Sequence, residues 1–250
     1  MYCDTGVYVI RAQAKDYYKT SRWSEGETVR VESVGCIDTA GLVLYLTFDE
    51  GTGDTVYDYS GHCNHGVIYG AKWVSGVSGY ALEFDGVDDY VRIQGTSSLD
   101  FYGRDELTVS AWVYRKGEGG GTCCPPIVAQ REIKRWTFRY DRRDSYEGEG
   151  LELVITTTDG TWIGDNDGTT FPLNEWLFVS AVYDGSCIRI YKNGKLAVEY
   201  PASGTFIRTG TQTEIGGTID GYFDGIIDEV LIYSKALSEE EIKALYNRYK

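Results

Sequence analysis

The chain has 250 residues, enough for one substantial all-β domain with an extension and too few for several large domains. Its net charge of −14 opposes non-specific nucleic-acid binding, which needs a basic surface, and no apolar run approaches the ~18 residues that cross a bilayer. A content of 21 Tyr, 6 Trp and 31 Gly against 4 Pro and 1 Met favours short strands and turns over helices.

In chain order, residues 1–40 differ from the rest and read as an N-terminal β extension or the remnant of an upstream domain. Val7–Ile10 and Thr28–Val31 are its two strand candidates, and Cys3 and Cys36 bracket it, so a disulfide tying it off is a reasonable expectation. Met1-Tyr2-Cys3-Asp4 shows neither the charged nor the apolar part of a signal peptide, so export would rest on a leader or anchor outside this chain. Six cysteines (Cys3, Cys36, Cys63, Cys123, Cys124, Cys187) show no zinc spacing. Their even number suits up to three disulfides and an oxidising compartment, with free buried thiols as the alternative.

From Gly41 the pattern turns regular. Leu42, Leu44, Leu46 and Phe48 alternate with Val43, Tyr45, Thr47 and Asp49, which predicts a strand with one core face. Further strands are expected at 80–84, 90–93, 107–114, 127–130, 137–140, 151–157, 177–183, 212–215 and 227–233. Cys187–Lys192 and Leu196–Tyr200 flank Asn193-Gly194-Lys195, a hairpin signal because Asn and Gly both tolerate positive φ. Ser238 and Glu241 form a capping box ahead of the stripe Ile242, Leu245, Tyr246, which predicts a short C-terminal helix. Strands at near-regular spacing with Gly and Asp turns make a sandwich or barrel.

Several segments in order resemble laminin-G-like domains of the concanavalin A-like lectin/glucanase jelly-roll family. They are Gly41–Gly51, Asp58–Gly66, Ala81–Val91, Leu107–Val113, Asn174–Trp176, Val182–Gly185, Ile190–Gly194 and Gly225–Tyr233 followed by Ala236–Ser238. The resemblance covers about residues 41–249. It implies an all-β, two-sheet antiparallel jelly-roll sandwich over residues 41–250, secreted or displayed on a cell surface.

Asp228 alternates in sequence with Val230 and Ile232, which would set a carboxylate on a core face, and a carboxylate there needs donors or a cation. First and last strands of jelly rolls lie close together. A structural Ca²⁺ is therefore expected to draw on Asp49, Asp58, Asn64 or Asp228, the alternative being that these residues cap turns. His62-Cys63-Asn64-His65 looks more like a turn than a zinc site. Asp165-Asn166-Asp167-Gly168 lacks the terminal Glu of a calcium loop and reads as a hairpin turn.

A glycosidase needs two suitably spaced carboxylates, and the family's E-x-D-x-x-E run is absent, as are nucleophile elbows and phosphate loops. The expectation is a non-catalytic binding module. Carbohydrate recognition would use Trp73, Trp136, Trp162 and Tyr222 as stacking faces, with Asp165, Asn166 and Arg135 as polar partners. Core packing is the competing reading for each Trp. The other live function is protein contact: an adhesin, or a self-assembling subunit of a surface filament, with the loop 116–126 as its contact tip.

Overall fold

The computed structural model describes residues 15–16, 19–20, 37–121, 124–130, 136–141, 150–164, 171–207, 212–218 and 220–250. Contacts divide the chain into Met1–Asp38 and Thr39–Lys250. In the first unit Lys15–Asp16 pairs antiparallel with Lys19–Thr20. The expected strands at 7–10 and 28–31, and Cys3, Cys36 and Cys123, lie outside the described residues.

The second unit is a sandwich of two antiparallel sheets. In chain order its strands are β1 (Leu42–Leu46), β2 (Thr55–Val56), β3 (Gly66–Tyr69), β4 (Lys72–Ser75), β5 (Tyr80–Asp85), β6 (Tyr90–Ile93), β7 (Leu107–Arg115) and β8 (Pro126–Gln130). They continue with β9 (Thr137–Asp141), β10 (Gly150–Thr157), β11 (Gly160–Gly164), β12 (Trp176–Tyr183), β13 (Cys187–Lys192), β14 (Lys195–Pro201), β15 (Thr213–Ile215) and β16 (Asp224–Tyr233). One sheet runs β11-β10-β9-β8-β15-β6-β3-β2. The other runs β14-β13-β12-β7-β16-β5-β4, with β1 also on β16. Within the loop 116–126, Gly120–Gly121 pairs with Gly221–Tyr222 in a small three-stranded sheet.

Alternating side chains from both sheets fill the space between them. Leu82, Phe84, Val91, Ile93, Val109, Val113, Phe138, Leu153, Ile155, Val179 and Ile215 all belong to one buried cluster, as a two-layer architecture requires. The Asn193-Gly194 turn takes positive φ at both residues (50° and 71°) and joins Lys192 to Lys195 in register. The helix α1 (Glu239–Asn247) carries both halves of its capping box, Ser238 Oγ accepting from Glu241 N and Glu241 Oε2 from Ser238 N. It covers the outer side of the β14–β4 sheet, where Tyr246 stacks on Trp112 at 5.7 Å. Among the described residues no helix is long and apolar enough to cross a membrane.

Two sequence expectations change. All five residues of β1 are buried, so it has no solvent face. The second face is held by the C-terminus, where the Tyr249 hydroxyl lies 2.8 Å from that of Tyr45. In β16, a register shift between Asp228 and Leu231 and a left-handed Glu229 (φ 51°) form a bulge. Simple alternation therefore fails there. Ile227, Val230 and Ile232 all join the core, while Asp228 and Glu229 engage polar partners elsewhere.

Candidate functional site

The indoles expected to stack on sugars serve the sandwich instead. Trp136 is 1% exposed and packs edge-on against Phe101 in the core, so it offers no face to a ligand. Trp73 and Trp162 sit on the edge strands β4 and β11 and pack against the core from opposite flanks. Trp73 Nε1 donates to the Gly53 carbonyl at 2.9 Å, tying β4 to the loop before β2 on the facing sheet. Trp162 Nε1 donates to Thr157 Oγ1 at 3.0 Å, on the flank where β11 meets β14. These two Trp close the open sides that any two-sheet sandwich leaves. Tyr222 is half-buried in the small glycine-rich sheet, its ring against Gly217. Asp165, Asn166 and Arg135 lie outside the described residues.

The four expected metal ligands do not form one set. Asp58 and Asn64 make a polar knot under the loop 58–65. Asp58 Oδ1 accepts from the backbone N of Tyr45 and Ser60 (both 2.9 Å), and Oδ2 from Ser60 Oγ (2.8 Å) and Asn64 N (2.9 Å). Asn64 donates to the Val43 carbonyl (2.7 Å) and Ser98 Oγ (2.9 Å) and accepts from Thr96 Oγ1 (2.6 Å). The knot is saturated by protein groups, the turn-capping alternative for these two residues. His65 belongs to it as well, its Nδ1 accepting from Asp58 N, which makes the His62–His65 segment a turn. Cys63 beside it is an exposed free thiol and Cys187 a buried one, so the chain has at most two disulfides rather than three.

Asp49 and Asp228 meet a different element, the turn between β4 and β5. Asp228, fully buried, accepts from Val77 N (2.9 Å) and Ser78 N (3.4 Å) through Oδ2 and from Glu229 N (2.8 Å) through Oδ1. Asp49 Oδ1 accepts from Tyr80 N at 3.0 Å. The two carboxylates clasp the turn so tightly that it requires glycines. A Cβ on Gly76 would come within 2.4 Å of Asp228 Oδ2, and one on Gly79 within 1.9 Å of Asp49 Oδ1.

Next to Asp228, Glu229 Oε2 accepts from Tyr45 (2.8 Å) and Tyr249 (2.6 Å). Burial, then the neighbouring Glu229 charge, pushes the Asp228 carboxyl up to about 8, and burial pushes Glu229 up to about 7.

Above this buried pair lies a group that sequence reasoning missed. Val56 and Asp58 are buried, so alternation turns Tyr57 and Tyr59 outward, 49% and 58% exposed. Tyr80, 50% exposed, lies over Gly51, where a Cβ would come within 2.8 Å of its ring. Tyr57 N donates to Glu50 Oε1 at 2.9 Å, and Glu50 Oε2 is sealed from solvent with no hydrogen-bond partner. Three exposed phenol rings thus surround Asp49 and Glu50 at one corner of the sandwich. The sequence signal was the outward pair flanking Asp58, legible only once Asp58 is known to face inward.

A second aromatic patch on the outer face of the β11–β2 sheet is closed on itself. Tyr69 and Tyr90 stack at 4.6 Å, and Arg92 covers both rings while pairing with Glu214 at 3.0 Å.

The family model of the concanavalin A-like lectin/glucanases superfamily matches residues 85–243. This chain belongs to that superfamily. No curated protein matches it. Among solved structures, domain 4 of AbnA, an extracellular GH43 arabinanase of Geobacillus stearothermophilus in complex with arabinotriose, aligns with TM-score 0.65 at 18% identity, over 84% of this chain and all of that one. The binding domain of Paraclostridial Mosquitocidal Protein 1 aligns with TM-score 0.66 at 18% identity, over 84% and 52%. The binding domain of botulinum neurotoxin DC aligns in complex with SialylT (TM-score 0.61, 15% identity, 85% and 52%) and with rat synaptotagmin II (0.64, 14%, 85% and 53%). The chain thus spans about half the length of these toxin binding domains, and at such identities the likeness is one of fold.

Proposed function

We propose that this member of the lectin/glucanases superfamily is a non-catalytic, extracellular carbohydrate-recognition module whose ligand site is the tyrosine corner. The observation that carries the reading is the placement of Tyr57, Tyr59 and Tyr80, each about half exposed, around Asp49 and Glu50. Sugar C–H faces stack on phenol rings, and carboxylates accept from sugar hydroxyls. That fold-mates have been solved with arabinotriose and SialylT supports the ligand class. Against catalysis, Asp228 and Glu229, whose carboxyls are raised well above the ordinary range, are buried and engaged, so substrate does not reach them. This reading does not depend on calcium. Asp58 and Asn64 are saturated, and the four expected ligands do not converge.

A glycan array followed by titration of the best ligands tests the proposal. Tyr57→Ala, Tyr59→Ala and Tyr80→Ala should each weaken binding by roughly tenfold. Full affinity in all three variants would refute the site. A protein partner is the second reading, favoured by the fold-mate bound to synaptotagmin II. It gains ground if no glycan of any charge binds.

A further inference from the structure

We infer that the tyrosine corner selects glycans bearing free amino groups, of the glucosamine type, over neutral and acidic glycans. The inference rests on the carbohydrate-recognition reading and adds the charge of the ligand to it. The corner combines stacking faces with negative charge. The rings of Tyr57, Tyr59 and Tyr80 supply stacking faces, and Asp49 and Glu50 supply negative charge.

Asp49 is exposed, and the hydrogen bond from Tyr80 N occupies only its Oδ1. Glu50 uses Oε1 for Tyr57 N, while Oε2 is buried and without a hydrogen-bond partner. Behind them lie two more carboxyls, Asp228 and Glu229, close enough that Asp49 acts on Glu229. Burial first, then the charges of Glu50 and Asp49, raise the Tyr59 hydroxyl above the ordinary phenol range. Arg248 acts instead on Glu229 and Tyr45, beneath the corner.

A carboxylated or sulfated sugar meets this field with like charge. A neutral sugar gains only stacking and hydroxyl contacts. An amino sugar gains those and places an ammonium against Asp49, with further attraction to the negative faces of the tyrosine rings. Charge–charge contacts at this exposure are screened by salt, so the selectivity should be salt-sensitive.

The test titrates the chain with four short oligosaccharides: β-1,4-glucosamine, its N-acetylated counterpart, a neutral β-1,4-glucan and an oligogalacturonate. Conditions keep the sugar amines charged. The glucosamine oligomer should bind on the order of tenfold tighter than the neutral two, with the oligogalacturonate weakest. High salt should narrow the gap. Asp49→Asn should shrink the preference for glucosamine over the neutral oligomers to a few-fold, and Tyr59→Ala should weaken binding of all of them. Equal binding of charged and neutral oligomers, or tightest binding by the oligogalacturonate, overturns the amino-sugar inference and leaves the recognition reading intact. No binding by any of these oligomers, with a neutral or acidic glycan bound on the array, likewise overturns the amino-sugar inference alone, and no binding by any glycan on the array overturns both.

Discussion

Four tryptophans and three tyrosines of this sandwich went to opposite uses. Trp136 fills the core, Trp73 and Trp162 close the two flanks, and Trp112 lies under the C-terminal helix. Tyr57, Tyr59 and Tyr80 stay outside at one corner. At the flanks the polar atom decides. An indole N–H needs only one acceptor, and Gly53 and Thr157 provide it for Trp73 and Trp162, whereas the buried Nε1 atoms of Trp112 and Trp136 have no hydrogen-bond partner. An exposed phenol keeps its hydroxyl in water while presenting both ring faces, which suits recognition at a surface. Aromatic content therefore reports binding only after topology has sorted which rings the sandwich needs.

The sharpest way to break this contrast is at Trp136. Trp136→Ala should cost about 3–5 kcal/mol in denaturant unfolding, the ordinary loss for emptying a core aromatic site. A loss below about 1 kcal/mol would mean that the ring is not a core element. The flanking Trp73 and Trp162, only partly buried, should cost less than Trp136 when truncated.

A middle-sized effect is expected where the polar interior meets the tyrosine corner. Asp228 and Glu229 hold folded values of about 8 and about 7, above the ordinary carboxylate range. Their contribution to stability is full below that range and is lost as pH rises through 7 and then 8. Unfolding free energy should fall over this window. Asp228→Asn should flatten the fall and cost roughly 1–3 kcal/mol at low pH, because the amide nitrogen would face a backbone N–H from Val77 or from Glu229. The same pH slope in both proteins would show that Asp228 titrates as a surface carboxylate.

Much of the frame was legible in the sequence, for local reasons. The strand from Leu42, the Asn193-Gly194 turn and the Ser238/Glu241 box are each encoded within a few residues, and each appears in the fold. The short strands Gly66–Tyr69, Lys72–Ser75 and Gly160–Gly164 were not foreseen. They lie at or beside sheet edges, where burial imposes little pattern. The bulge at Asp228 and Glu229 was invisible because one added residue breaks the period on which alternation depends. The tyrosine corner was missed because it joins residues 49–59 to Tyr80 across a turn clasped by Asp228 from the last strand. Only tertiary structure brings those three segments together.

The smallest effect on stability is expected at that corner, and its smallness is informative. Tyr57→Ala and Tyr59→Ala remove rings that are half in solvent and whose ring neighbours are His65 and Tyr45 at 5.3 Å and 6.4 Å, so each should change unfolding free energy by no more than about 0.5 kcal/mol. Tyr80→Ala should cost the most of the three, since its ring covers Gly51. A module that spends three large aromatics on a surface gains little folding energy from them, so their use lies in what they contact outside the chain. Loss of glycan binding without loss of stability would tie these rings to recognition. A stability cost above about 1.5 kcal/mol at Tyr57 or Tyr59 would instead make them packing residues like the tryptophans, and the contrast between the two aromatic sets would collapse.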